Sequence, residues 1–144
     1  MRAGTENIAS IVGMAKALEI NCADLEKNMR HINALEEMLI TGLKQSGIQF
    51  KRNGGANHIP GNISISFKDA DGEMLLHRLD LMGICVSTGA ACDTVNTQIS
   101  HVLQAIRAED AYAMGTIRIS LGKDNTEDDI VKIVMAIAKI LRKT

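Results

Sequence analysis

The stretch "NISISF", Asn62 to Phe67, sets Ile63, Ile65 and Phe67 against Asn62, Ser64 and Ser66 in strict alternation. A period of two sends successive side chains to opposite faces of a strand, so these residues predict one apolar and one hydroxyl-bearing face. "TIRISL", residues 116–121, repeats the pattern with Ile117, Ile119 and Leu121 against Thr116, Arg118 and Ser120. Two half-buried strands result, and a sheet with one apolar face needs covering on that side alone.

Working outward, the segment between them reads as a helix near Gly72 to Met82, a short strand "ICVS" and a helix from about Ser100 to Ala108. After the second strand, Thr126 to Arg142 is helical. Glu127, Asp128 and Asp129 fall in its first turn and Lys139, Arg142 and Lys143 at its end, matching the helix dipole. Before the first strand, "KRNGGANHIPG", residues 51–61, reads as a turn region. Its Gly54-Gly55 pair lacks the strand-then-helix setting of a phosphate cradle, so a hairpin or connecting loop is expected.

From Asn7 to about Leu43 the residues Ile8, Ile11, Ala15, Leu18, Cys22, Leu25, Met29 and Ile32 step by fours and threes along one helical face. An unbroken helix of that length would span roughly 50 Å, so a break is expected at "NCAD", with Asn21 capping and Asp24 returning the contact. The fold class is α/β (α+β): a long helix, then a small sheet of about three strands with helices packed on one face. Residues 1–48 form the helical region and residues 49–144 the small α/β domain.

Composition narrows the function. The 144 residues are 46% hydrophobic, enough for a sizeable core, and only 2% aromatic, so that core is aliphatic. Sixteen basic against 17 acidic residues give a net charge of -1, which provides no basic field for nucleic acid or an anionic membrane. No apolar run approaches the ~20 residues that cross a bilayer, and the N-terminus lacks the order of a secretory signal; a cytoplasmic protein is expected. Cys22, Cys85 and Cys92 are odd in number with no C-x-x-C pair, against a disulfide framework or a zinc knuckle. His31, His58, His77 and His101 are scattered without H-E-x-x-H, so no metal site is expected.

Cys22, on the helical stripe, and Cys85, between Ile84 and Val86, read as small buried hydrophobes. Cys92 differs. In "STGAAC", residues 87–92, it follows Gly89, Ala90 and Ala91 and precedes Asp93, Thr94, Asn96, Thr97 and Gln98, which predicts an exposed thiol on a bare tether. An unperturbed thiol, with a pKa of about 8.5, is a few per cent thiolate at neutral pH, so another group must activate it. Arg118 lies on the polar face of its strand. A solvated surface arginine and a guanidinium fork for a carboxylate both fit that position.

Four segments together resemble the C-terminal part of the cysteine desulfurases, pyridoxal-phosphate enzymes of the class V aminotransferase group. They are "RAGTEN" at 2–7, "STGAAC", "SHVLQAI" at 100–106 and "IRISLG" at 117–122, in that order. The resemblance implies the C-terminal small domain of a fold-type I pyridoxal-phosphate enzyme, with residues 1–48 as a domain-linking helix region. It implies that Cys92 attacks the sulfur of substrate L-cysteine, giving L-alanine and an enzyme persulfide for iron-sulfur cluster or thio-cofactor assembly. It makes Arg118 the clamp on the substrate carboxylate and Thr5 the residue that reaches the cofactor phosphate of the neighbouring subunit in a homodimer. A sulfur-acceptor or iron-sulfur scaffold protein is the implied partner.

In that family the cofactor lysine, a ring-stacking histidine, and an aspartate and glutamine at the pyridine ring stand upstream of the "RAGTEN" segment. None of the nine lysines here occupies the family's lysine segment. The resemblance therefore implies a chain that stops short of the family's length and is inactive alone. The alternative is a stand-alone module that binds sulfur-acceptor or scaffold proteins; a selenocysteine lyase or class V transaminase fragment is a further one. With its usual cover missing, the first helix is expected to self-associate, most simply as a dimer.

Overall fold

Asn62–Phe67 forms a strand, and the residues that alternate along it dictate what surrounds it. The computed structural model describes residue 4 and residues 6–55, 57–88 and 100–142. In chain order the elements are α1 (Ile8–Ala23), α2 (Leu25–Gln45), β1 (Phe50–Arg52), β2 (Asn62–Phe67), α3 (Gly72–Asp80), β3 (Ser87–Thr88), α4 (His101–Ala105), α5 (Asp110–Ala113), β4 (Thr116–Ser120) and α6 (Glu127–Leu141). Among the described residues the sheet has four strands in the order β1-β2-β4-β3, each neighbour antiparallel. The register pairs Ile63 with Ile119 and Ile65 with Ile117, so the apolar positions of the two central strands share one face.

That face carries the core. Ile63, Ile65, Phe67, Ile117 and Ile119 meet Leu35, Leu39 and Leu43 of α2, Leu75 and Leu79 of α3, and Ile130, Ile133, Ile137 and Ile140 of α6. The spacing of four or three along each helix turns one stripe inward, and each such side chain contributes about 1.5–3 kcal/mol on burial. Helix α6 starts where expected: Thr126 and Asp129 form a reciprocal capping box. Helices α2 and α6 come close at Gly42, where a Cβ would lie 3.0 Å from Val134 Cγ2.

Several expectations need correction. The long helix does break at the predicted place, but Asn21 stays inside α1 and Asp24, with φ -106° and ψ 9°, makes no side-chain cap bond. The stripe of α1 lies open, in line with the expected loss of its cover: none of its residues is buried, and Ile8, Ile11 and Leu18 are at least half exposed. Cys22 is therefore exposed, and so is Cys85. Ile84 and Val86 pack against the core, so the alternation of the chain turns Cys85 outward, its Sγ 4.0 Å from Asp80 Oδ1. In "ICVS" only Ser87 is in a strand; β3 is Ser87–Thr88. Lys51 and Arg52 belong to β1, which makes the 53–61 segment the loop of a β1–β2 hairpin. Helix α5 was not anticipated. It sits where β2 ends and β4 begins, with Ala111 O accepting from Asp69 N at 2.7 Å.

The hairpin loop is clamped from below by a buried acid. Glu36 of α2 is 4% exposed. Its Oε1 takes an Arg52 N–H and lies 2.8 Å from His58 Nε2, while Oε2 accepts the Gly61 N–H at 2.8 Å. Arg52 Nη2 also meets His58 Nε2, so the guanidinium, the imidazole and the carboxylate converge on one point beneath the loop. Gly61 has φ +80°, and a Cβ there would lie 2.6 Å from Ile32 Cγ2 and 2.7 Å from Leu121 O.

Candidate functional site

The face of the sheet opposite the core carries the alternate residues, and they are polar. At one end Asn53 Nδ2 donates to Ser64 Oγ at 3.1 Å and to Ser66 Oγ at 2.7 Å. Ser66 Oγ and Thr116 Oγ1 lie 2.7 Å apart, and the Thr116 hydroxyl donates a hydrogen bond to Ala113 O at 2.8 Å. Ser66 and Thr116 are buried, so this hydroxyl run is a satisfied internal network.

Arg118 stands one step along the same face. Its Cα partners are Ser64 on β2 and Ser87 on β3, so short side chains flank it on both sides. The side chain is half-buried, and Nη2 donates to Ser87 Oγ at 3.3 Å. No carboxylate pairs with it among the described residues, whereas Arg52 is paired with Glu36. A half-buried guanidinium held by a neutral hydroxyl keeps its full charge and most of its donors. This arrangement can receive an anion.

Of the residues the resemblance singled out, Arg118 is described; Cys92 and Thr5 lie outside the described residues. Ser87 was overlooked as a side chain with a role. Its signal was the shared register of two strands on the polar face, which a single sequence does not give. A separate open groove of ≈ 860 Å³ runs between α6 and residues 82–86, lined by Ile84, Cys85, Ile133 and Lys139 among others. Arg118 does not line it, and its walls are mostly aliphatic.

The aminotransferase class-V family profile matches residues 1–133. This chain belongs to that family. It is 37% identical over 143 residues to cysteine desulfurase IscS of Dictyoglomus turgidum, covering 99% of this chain and 36% of that protein. Cysteine desulfurase IscS of Methanosarcina thermophila is 34% identical over 142 residues, covering 99% and 35%. Among solved structures, a NifS-like protein superposes with a TM-score of 0.83 at 33% identity, covering 99% of this chain and 36% of that one. The NifS-like protein from Rickettsia africae gives 0.82 at 29%, covering 98% and 36%. The chain thus spans about 36% of the length of the curated relatives it matches.

Class V aminotransferases imply pyridoxal phosphate, and the described residues do not fit it. A lysine that holds the cofactor needs a walled site shielded from water, and every described lysine is exposed. Among the described residues no group of three His, Cys, Asp or Glu side chains could hold a metal, and no helix is long and apolar enough to cross a membrane.

Proposed function

We propose that this chain supplies the substrate-carboxylate arginine and the sulfur-accepting cysteine of a cysteine desulfurase. The observation that carries the reading is the antiparallel pairing of Arg118 with Ser87. Ser87 is the first residue of the "STGAAC" segment, and five residues of chain reach at most roughly 17 Å, so a thiol at position 92 is tethered within range of a carboxylate on Arg118. In the net reaction the C–S bond of L-cysteine breaks and an S–S bond to Cys92 forms. The products are L-alanine and a persulfide on the enzyme. Arg118 holds and orients the carboxylate; Cys92 takes the sulfur.

In the same reading pyridoxal phosphate is held by residues beyond the part that aligns, with Thr5 reaching the phosphate of the neighbouring subunit in a homodimer. Residues 1–48 link the two lobes and residues 49–144 form the small domain. The persulfide passes to a sulfur-acceptor or iron-sulfur scaffold protein in the cytoplasm. The exposure of every described lysine favours one further role for the chain on its own, that of a docking module for such acceptors.

Mass spectrometry after mixing the purified chain with a persulfide donor tests the thiol. Cys92 is labelled ahead of Cys22 and Cys85, and equal labelling of all three removes its special role. Cysteine-dependent sulfide release by the 144 residues alone is not expected, and detecting it overturns the assignment of the cofactor to residues elsewhere. Release of selenide from selenocysteine in preference to sulfide from cysteine, by a protein completed with a cofactor domain, favours a selenocysteine lyase.

A further inference from the structure

We infer that Ser87 is a positioning residue: its hydroxyl fixes the Arg118 guanidinium so that the remaining donors present one edge to a carboxylate. The inference rests on the reading of Arg118 as the carboxylate-binding residue, and goes beyond it to what makes that side chain selective.

Arginine is long and has many rotamers, and fixing it only when a ligand arrives takes that entropy out of the affinity. Here the fixing is done in advance. The Ser87↔Arg118 and Thr88↔Ile117 register places the serine Cβ beside Arg118 on the same face, and Nη2 reaches Ser87 Oγ at 3.3 Å. On the other flank Ser64 is the Cα partner in β2, and its Oγ is already engaged by Asn53 Nδ2 at 3.1 Å. Of the two flanking hydroxyls, the guanidinium bonds the one on β3. The choice of partner matters as much as its position. A carboxylate in place of Ser87 would neutralise the guanidinium and compete with the ligand, whereas a hydroxyl takes one N–H and leaves the charge. Arg52 shows the opposite arrangement, with its charge spent on buried Glu36. A planar fork with one corner pinned still offers two parallel donors, which suit two carboxylate oxygens and not a spherical anion.

The test uses the whole chain with ¹⁵N-labelled arginine, following the Arg118 side-chain resonances by NMR while acetate is added, with chloride as the control anion. In the wild type the guanidinium rotates slowly and acetate binds in preference to chloride. Ser87→Ala speeds the rotation and weakens acetate binding about 3- to 10-fold, the equivalent of one lost hydrogen bond. Ser87→Thr, which keeps the hydroxyl, restores both to within about 2-fold. Thermal unfolding of each variant is measured alongside. If Ser87→Ala binds acetate as the wild type does while Arg118→Gln has lost binding, the positioning role is wrong and the carboxylate reading stands. If Arg118→Gln binds as well as the wild type, or the wild type binds no acetate, the carboxylate reading fails and this inference with it. If Ser87→Thr loses affinity together with thermal stability, Ser87 serves only to hold the β3 edge and the inference is overturned.

Discussion

Glu36 of α2 accepts the backbone N–H of Gly61, 25 residues further along the chain, at 2.8 Å. One carboxylate thereby fastens the long helix to the last turn of the hairpin loop. The contact is buried, so its two ends cannot exchange it freely for water.

Replacing Glu36 by Ala leaves the Gly61 N–H without its acceptor and opens a hole beneath the loop. Arg52 and His58, with side chains 32% and 28% exposed, regain water in part, so their loss is discounted. The expected destabilisation is about 2–4 kcal/mol, read by urea unfolding. A change below about 1 kcal/mol would mean that the carboxylate is not the clamp.

Two glycines with left-handed backbone separate strain from space. Gly61 and Gly83 have φ of +80° and +75°, but a Cβ on Gly83 meets nothing within 4 Å whereas one on Gly61 runs into Ile32 and the Leu121 carbonyl. Gly83→Ala is expected to cost about 1–2 kcal/mol, the backbone term alone. Gly61→Ala costs clearly more, about 3 kcal/mol or above, because backbone must move as well. Equal costs in parallel denaturation curves would refute the crowding.

Asp129 closes the capping box at the start of α6. The Thr126 backbone N–H, 3.0 Å from Oδ2, and the Thr126 side chain hold its carboxyl below the usual 3.8. Because folding lowers this pKa, the stabilisation is present above the unfolded value and fades as pH falls through the folded one. Asp129→Asn therefore loses stability relative to the wild type near neutrality, and the gap narrows below about pH 3.8. Urea midpoints at several pH values measure it; a gap that stays constant would exclude the charged cap.

Core and α1 residues of like type behave oppositely. Leu39 is fully buried, and Leu39→Ala is expected to cost about 2–5 kcal/mol. Ile11 is 50% exposed on α1, so Ile11→Ala changes global stability by less than about 0.5 kcal/mol. Melting temperatures of the two variants make the comparison, and a large loss in the second would show that α1 packs on the domain.

The strands that carry the core were legible because their alternation is local: Ile63, Ile65, Ile117 and Ile119 state their own faces. The start of α6 was legible for the same reason, since Glu127, Asp128 and Asp129 stand in a row in its first turn, while the Thr126–Asp129 cap came from the structure. Cys85 was misread although its neighbours held the answer, because two inward residues at 84 and 86 oblige position 85 to point out. Lys51 and Arg52 look like loop residues by charge, and only pairing with Ser66 and Ile65 makes them strand. The stripe of α1 was visible from its spacing, while its exposure followed only from the resemblance, since periodicity reports which residues share a face and not what covers that face. At the candidate site, Arg118 was placed on the polar face by alternation, while its tie to Ser87 depends on strand order and register.

Helix α1 has a capped start, Asn7 Oδ1 accepting the Ser10 N–H at 3.2 Å, yet no buried side chain anywhere in its 16 residues. A segment of that length held by its own backbone bonds alone is marginally helical in water. Its amide hydrogens therefore exchange with solvent long before those of α2 and α6, and it melts as a unit separate from the cooperative core. Only when a further surface closes over its aliphatic side chains does the helix join the part of the molecule that unfolds all at once.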